Sequence, residues 1–461
     1  MSIRQPPVRP SRPPAPVNRV TTAALVGTVI EFYDFALYAT AAAIVFGPVF
    51  FPGFAPSAAT LAAFGTFATG FVARPLGSVL FGHIGDRLGR RVVLQSTVLV
   101  TGLATFAIGL LPGYRELGVA APVCLVVLRF VQGLGIGGEW TGAVLLAGEH
   151  APPGRRGLWA SFPQTGPAIG FLCANGCVLA LSAALTPEQF LAWGWRVPFW
   201  GAGILTLIGF LLRSRIVETP VFQGLARDDA LARSPLRAVL RLHGGRVVLV
   251  AGAVMCTYAV HYTATVWAMS HITGRPGFTP GGTLLCIMAA MTVMGAATPL
   301  AATLGDRYGG RRLSIVGCVA MGVLTVPYLA LLHRGGLPTV WACTTVLLLA
   351  LITMLGVQGM YIPELFEPRL RTSGTAISYN LGAVLGGALT PLINSRLSQT
   401  TGGGGVPWAV AAYLVGVCAV SLLCLLRLPA THAASTSASG AVAVSVSGSA
   451  SASPSDRSAP G

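Results

Sequence analysis

The chain is 461 residues long, 53% hydrophobic and only 10% charged, with a mean hydropathy of +0.71. A soluble globular protein needs a far more polar surface than this, so the composition describes a polytopic membrane protein. The formal charge of +16 would suggest nucleic acid in a soluble protein. No basic amphipathic element with interleaved aromatics accompanies it, so nucleic acid is not an expected partner.

Residues 1–19 carry Arg4, Arg9, Arg12 and Arg19 among many prolines. Such a segment cannot bury a core and reads as a disordered tail. The apolar run that follows is too long for a signal peptide and holds carboxylates rather than a small-residue cleavage site, so it reads as a retained first helix. Twelve runs of about 20 residues or more, the length that crosses a bilayer as a helix, lie at roughly 20–46, 58–84, 92–112, 120–146, 158–185, 194–213, 246–271, 282–303, 313–333, 338–362, 372–394 and 406–427.

Between the second and third runs stands Gly82-His83-Ile84-Gly85-Asp86-Arg87-Leu88-Gly89-Arg90-Arg91. It returns 220 residues later as Gly305-Asp306-Arg307-Tyr308-Gly309-Gly310-Arg311-Arg312. A repeat at that distance in so apolar a chain implies two similar halves, each of several membrane helices. The expected organisation is an all-α integral membrane protein of twelve helices: a six-helix half over 20–213, a hydrophilic loop over 214–245, a second six-helix half over 246–428 and a tail over 429–461. The tail is Ala/Ser/Gly-rich and has no heptads, so no coiled coil is expected there.

All 30 basic residues are arginine. With twelve spans both termini share a side, and that side holds 23 of the arginines against five on the other, with Arg74 and Arg129 left in the membrane. By the positive-inside rule both termini and the 214–245 loop are expected in the cytoplasm of a cell-membrane protein, and the net charge is accounted for. The nine cysteines lie within or at the ends of apolar runs and read as free thiols. Neither a zinc site nor a disulfide framework is suggested.

The twelve spans, the division into six and six, and the Gly-x-x-x-Asp-Arg-x-Gly-Arg-Arg loop resemble the major facilitator superfamily of secondary transporters. Further stretches resemble its metabolite:proton symporter branch, which includes carriers of α-ketoglutarate, citrate, shikimate, and proline or betaine. They are Glu31-Phe32-Tyr33-Asp34-Phe35, Arg74-Pro75-Leu76-Gly77, Arg129-Phe130-Val131-Gln132-Gly133, Gly137-Gly138-Glu139-Trp140, Glu149-His150-Ala151-Pro152, Pro163-Gln164, Trp193-Gly194-Trp195-Arg196-Val197-Pro198-Phe199, Glu218-Thr219-Pro220, and Pro363-Glu364-Leu365-Phe366 running to Gly386-Gly387. The chain departs from the pattern at Phe32, where the family usually has Trp, at Gly310, which replaces a basic residue, and at Ala302, which stands where the first loop copy has Gly82. The resemblance implies alternating access with the proton as coupling ion and no other cofactor. A Gly166-Pro167-x-x-Gly170 run is similar to a motif of superfamily antiporters, which keeps export as the alternative.

Ionisable groups inside a bilayer cost several kcal/mol unless paired or facing water, so each is a functional candidate. At ~1.5 Å of rise per residue, Glu31 and Arg74 fall about 15 Å from the arginine-rich side, Arg129 about 17 Å and Asp34 about 20 Å. Two carboxylates and two arginines thus converge on the midplane from three helices. Glu31 and Asp34, spaced i, i+3, share a helix face that Tyr38 extends. In one reading Glu31–Arg74 and Asp34–Arg129 are static pairs that fix helix packing. In the other, a carboxylate gains and loses a proton as an arginine moves away and returns. Asp34 is the favoured proton carrier, then Glu31, then Glu139. Arg129 or Arg74 suits a bidentate substrate carboxylate, and counting does not decide which one binds. Tyr38, Gln164, His261 and Tyr262 complete the expected substrate-contacting set, with Tyr258 beside them.

The loop residues Gly82, Asp86, Arg87, Gly89, Arg90 and Arg91, with Asp306, Arg307 and Arg311 of the second copy, are the expected gate. Glycines allow the turn, and the aspartate can accept bonds from a neighbouring helix N-terminus or arginine when that side is shut. An integral-membrane enzyme would need a nucleophile with its base or a clustered metal set, and the histidines are scattered over different spans and loops, so no enzyme is expected. The leading expectation is proton-coupled symport of a small organic acid or zwitterion, a mono- or dicarboxylate being favoured, by a monomer in the bilayer.

Overall fold

The computed structural model describes residues 17–430 apart from 89, 138–143, 145–146, 148–150, 153–154, 215–234, 274, 368–369 and 401–404. Most of the expected tails, Gly89, Glu139 and most of the loop over 214–245 therefore lie outside the described residues. The regular elements among the described residues are helices. In hydrocarbon no water can satisfy a free N–H or C=O, and a helix satisfies both within one segment. Ten helices are long and apolar enough to cross a membrane, and two shorter apolar ones, Gln95–Leu110 and Ala120–Ile136, bring the set to twelve.

In chain order the rods are α1 (Val17–Ile44), α2 (Pro56–Leu88), α3 (Arg90–Leu110), α4 (Ala120–Ile136), α5 (Arg156–Ala184), α6 (Arg196–Ser214), α7 (Pro235–Tyr262), α8 (Pro280–Tyr308), α9 (Gly310–Arg334), α10 (Leu337–Glu364), α11 (Arg371–Ala383) and α12 (Trp408–Arg427). α7 runs on through a π turn, Thr263–Trp267, into Ala268–Ile272. α11 does the same through Val384–Ala388 into Leu389–Thr400. The last third of the expected loop is not loop: α7 begins at Pro235 and bends at His243, whose φ of −130° and ψ of 20° break the helix. Leu236, Val239, Leu240 and Leu242 give this stretch enough apolar residues to stay helical until the Gly244-Gly245 pair.

Packing repeats with a shift of six helices. α1 packs on α5 and α6, α2 on α4, α3 on α4 and α6; in parallel α7 packs on α11 and α12, α8 on α10, α9 on α10 and α12. Across the molecule α5 meets α8, and α2 meets α11. Small residues permit the closest approaches. A Cβ on Gly133 would meet the carbonyl of Gly70, one on Gly137 that of Arg74, and one on Gly77 that of Leu134, so α2 and α4 touch backbone to backbone. In the second half a Cβ on Gly386 would meet the carbonyl of Met255.

The second loop copy explains two of its own residues. Gly309 turns the chain from α8 into α9 at a φ of +92°, which L side chains rarely adopt. A Cβ on Gly310 would stand 2.8 Å from Cβ of Tyr361 on α10, so the helix packs where the first copy carries an arginine.

Candidate functional site

α1 carries Glu31, Asp34, Phe35 and Tyr38 at i, i+3, i+4 and i+7, one helix face. α2 carries Phe67, Phe71 and Arg74 at i, i+4 and i+7, facing it. α4 supplies Arg129 and Gln132, α7 supplies Tyr258 and Tyr262, and α11 supplies Tyr379 and Asn380. These faces meet at the centre of the bundle. Exposure there is 5% for Glu31, 1% for Asp34, 4% for Arg74 and 0% for Arg129.

Aromatic rings hold both guanidiniums. That of Arg129 lies 4.3 Å from the Phe35 ring centre, 4.1 Å from Tyr38 and 5.1 Å from Phe67. That of Arg74 lies 4.3 Å from Phe35 and 4.9 Å from Phe71. Such contacts contribute about 0.5–2 kcal/mol each, the same order as the ~2.5–3.5 kcal/mol that an arginine at a bilayer centre costs on insertion scales. The rings thus offset much of that cost, and the two carboxylates nearby supply the counter-charge. Phe35 is common to both cages, next in sequence to Asp34.

The two arginines differ in how firmly they are held. Arg129 also donates to Oε1 of Gln132, whose own amide donates to Thr105 at 2.7 Å. It is packed in α4 beneath the rings, within electrostatic reach of Tyr38, Arg74, Tyr262 and, most weakly, Asp34. Arg74 instead lines a small cavity of about 10 Å³ with Glu31, Tyr258, Tyr379 and Asn380, room for one water at most. Glu31 and Arg74 are within electrostatic reach of Tyr258, Tyr262 and Tyr379.

Contacts between the halves flank the cavity on both sides. Toward the end of the bundle where α1 begins and α12 finishes, the Asn380 amide donates to Oγ of Ser78 at 2.9 Å and to the carbonyl of Gly137 at 2.7 Å, tying α11 to α2 and α4. Toward the opposite end Tyr262 packs against Phe67 and Phe71 at ring separations of 5.5 and 5.4 Å.

Of the remaining expected site residues, Tyr38 donates to Thr66 at 2.8 Å beneath Arg129. Gln164 donates to the Leu355 carbonyl of α10 at 2.8 Å, a bond between α5 and the second half rather than a wall of the cavity. The half-buried His261 ring stands edge-to-face on Tyr262 at 5.1 Å. Gly166 and Gly170 are where α5 packs against Thr28 and the Val29–Tyr33 backbone of α1. Close packing therefore accounts for the antiporter-like glycines.

Asp306 accepts hydrogen bonds from the backbone N–H groups of Gly157 and Leu158 at 2.7 and 3.1 Å, the free N-terminus of α5. Arg311 turns the other way and donates to the carbonyls of Leu425 and Leu426 at the end of α12. Arg307 lies 5.4 Å over the Tyr308 ring. Gly82, Asp86 and Arg87 are in α2 and Arg90 and Arg91 in α3, with their side chains outside the described residues.

Sequence reasoning missed the cage residues Phe35, Phe67 and Phe71, the brace Gln132, and Tyr379 and Asn380. The first four had a signal: Phe67-Phe71-Arg74 at helical spacing, Phe35 beside Asp34, and Gln132 three residues after Arg129. Asn380 had none, because only the meeting of α11 with α2 brings it to the site.

A twelve-helix bundle in two matching sets of six, with two arginines and two carboxylates buried in an aromatic centre between them, defines a polytopic membrane transporter. The profile of the family described as "Sugar (and other) transporter" matches residues 20–241 and again 237–438. The chain is 42% identical over 415 residues to the inner membrane metabolite transport protein YhjE of Escherichia coli (strain K12), covering 89% of this chain and 93% of that protein. It is 36% identical over 434 residues to the shikimate transporter of the same organism, covering 91% and 97%. To the glycine betaine/proline/ectoine/pipecolic acid transporter OusA of Dickeya dadantii (strain 3937) it is 32% identical, covering 88% and 82%. Among solved structures, that of a D-xylose-proton symporter superposes with a TM-score of 0.71 at 19% identity, covering 90% of this chain and 99% of the other, which is likeness of fold. The protein belongs to the sugar and other transporter family of the major facilitator superfamily, on the side of its metabolite transporters.

Proposed function

We propose that the protein is a proton-coupled symporter that brings a small carboxylate-bearing metabolite into the cytoplasm by alternating access, with the arginine-rich end of the bundle facing inward. The observation that carries this reading is the division of labour between two charge pairs. Arg74 and Glu31 line the cavity between the halves, while Arg129 is braced behind it with Asp34 in its field.

Arg74 is the substrate anchor: its guanidinium offers two parallel donors to a carboxylate, held at the cavity by rings rather than by a hydrogen-bonded brace. Glu31, Tyr258, Tyr379 and Asn380 complete the contact set and leave room for a substrate that carries a cationic or hydroxyl group as well. Asp34 carries the proton. When it is neutralised, Arg129 keeps its brace to Gln132 but loses its counter-charge, and the shared Phe35 links that change to Arg74. A cavity of about 10 Å³ does not admit a metabolite, so loading requires one of the two closures to open. Asp306 on the α5 N-terminus, where a carboxylate meets the positive helix end, is one lock on the inward side. By the repeat, Asp86 is the counterpart we propose for the first half, its side chain lying outside the described residues.

The test is transport by wild type and Arg74→Lys in proteoliposomes. The lysine keeps the charge and loses the fork. This reading expects uptake to survive with a raised KM for a carboxylate substrate, while an unchanged KM would remove Arg74 from the substrate site.

A further inference from the structure

Three thiols and a thioether converge in the second half, away from the transport centre. Sγ of Cys256 on α7 lies 3.9 Å from Sγ of Cys318 on α9 and 3.7 Å from Sδ of Met354 on α10. The Cys318 thiol points at the Cys418 carbonyl of α12 at 3.3 Å, and the Cys418 thiol is also within reach of Cys256. Cys256 and Cys318 are both fully buried. Nothing in the transport reading uses them, and packing alone would be served by alanine or valine.

We propose that Cys256 and Cys318 form a modification site: a thiol pair that a hydroperoxide converts to a disulfide, which in turn restrains α7. The sulfurs need to approach by roughly 1.9 Å to reach the ~2.05 Å of an S–S bond. The chemistry balances in two steps. The Cys256 thiol takes one oxygen from the hydroperoxide, giving a sulfenic acid and the corresponding alcohol or water. The Cys318 thiol then displaces that hydroxyl as water and forms the S–S bond. A small uncharged peroxide is the oxidant suited to a pair of thiols that are fully buried. Met354, beside Cys256, is a soft neighbour that stays a thioether in the product.

The consequence for transport follows from where the two helices lie. Cys256 is two residues before Tyr258 and six before Tyr262, on the helix that bends at His243 and again through the π turn at Thr263–Trp267. α9 packs on α8, α10 and α12. A covalent bond between them ties the cavity-lining helix to a helix on the periphery of its own half and restrains the rebending of α7. This consequence rests on the proposed transport cycle, whereas formation of the bond does not.

The experiment treats the purified, reconstituted protein with hydrogen peroxide and maps its peptides by mass, alongside transport. The expected result is a linked Cys256–Cys318 peptide pair two hydrogens lighter than the sum of its parts, loss of most uptake, and recovery of both on adding dithiothreitol. Cys256→Ser is expected to keep uptake in peroxide, and Cys173→Ser with Cys177→Ser, which removes the exposed pair on α5, is expected to remain sensitive. Absence of the linked peptide in wild type, or its appearance between Cys256 and Cys418 instead, overturns the site without touching the transport reading. A linked peptide with undiminished uptake overturns the restraint on α7. Peptide mapping needs only wild-type protein, so the proposal stays falsifiable if a variant fails to fold.

Discussion

Arg74 and Arg129 are the same residue type, at similar depth and caged by the same phenylalanine, yet their surroundings differ. Arg129 has a hydrogen-bonded brace through Gln132 to Thr105 and no place on the cavity wall; Arg74 has rings and an opening. Hydrogen bonds to charged groups contribute about 1.5–3 kcal/mol, so losing one arm of a bidentate pair in Arg74→Lys is expected to raise KM by on the order of ten- to a hundredfold at ~1.4 kcal/mol per decade. Substrate-dependence of initial uptake rates checks it. For Gln132→Leu the expectation is different: the brace goes, the cavity wall stays, and KM changes little while coupling to the proton gradient falls. A ratio of substrate to proton flux below that of wild type is the readout.

At the scale of elements, two predictions concern helix ends and helix contacts. Asp306→Asn keeps a polar cap on α5 but removes the charge that the helix N-terminus favours, worth about 0.3–1 kcal/mol and up to ~2 kcal/mol when partly buried. The lock on the inward side should weaken, and reactivity of a cysteine introduced at Leu158, whose position already carries a side chain, toward a membrane-impermeant thiol reagent from that side should rise; unchanged reactivity would show that the cap is not a lock. Gly137→Val sets a side chain against the Arg74 carbonyl and the Ser78 amide, and overpacking of this kind costs typically ~1–3 kcal/mol, so thermal unfolding in detergent should begin earlier. Much of this scale was legible in the sequence. The twelve runs and the repeated Asp-Arg loop follow from length, hydropathy and the demands of a backbone in lipid. What was not legible is where a helix begins beyond its apolar core, as α7 shows at Pro235, and which cross-helix partners a polar side chain finds. Gln164, expected among the substrate contacts, donates to Leu355 between the halves; Asn380 drew no notice and lines the cavity. Both outcomes depend on contacts between residues 191 and 243 positions apart, which no local pattern encodes.

The molecule as a whole is two copies of one packing scheme that meet along α5–α8 and α2–α11. Each seam carries a polar closure: Asp306 on α5 at the first, and Asn380 on Ser78 and Gly137 at the second. In the proposed cycle, rocking the halves apart at one end tightens the other, and the buried charges between them are what a proton and a substrate would bias. Export by the same fold would use the same parts in the opposite sense, so the direction of flux decides between the two. The most direct measurement is uptake of labelled shikimate, α-ketoglutarate, citrate, proline and betaine into proteoliposomes under an imposed inward proton gradient, comparing wild type with Asp34→Asn. The account predicts that one carboxylate-bearing compound accumulates above equilibrium in wild type, faster as the outside is made more acidic, and that the variant still exchanges it but no longer concentrates it. Accumulation that survives Asp34→Asn, or extrusion driven by a gradient of the same sense, would contradict it.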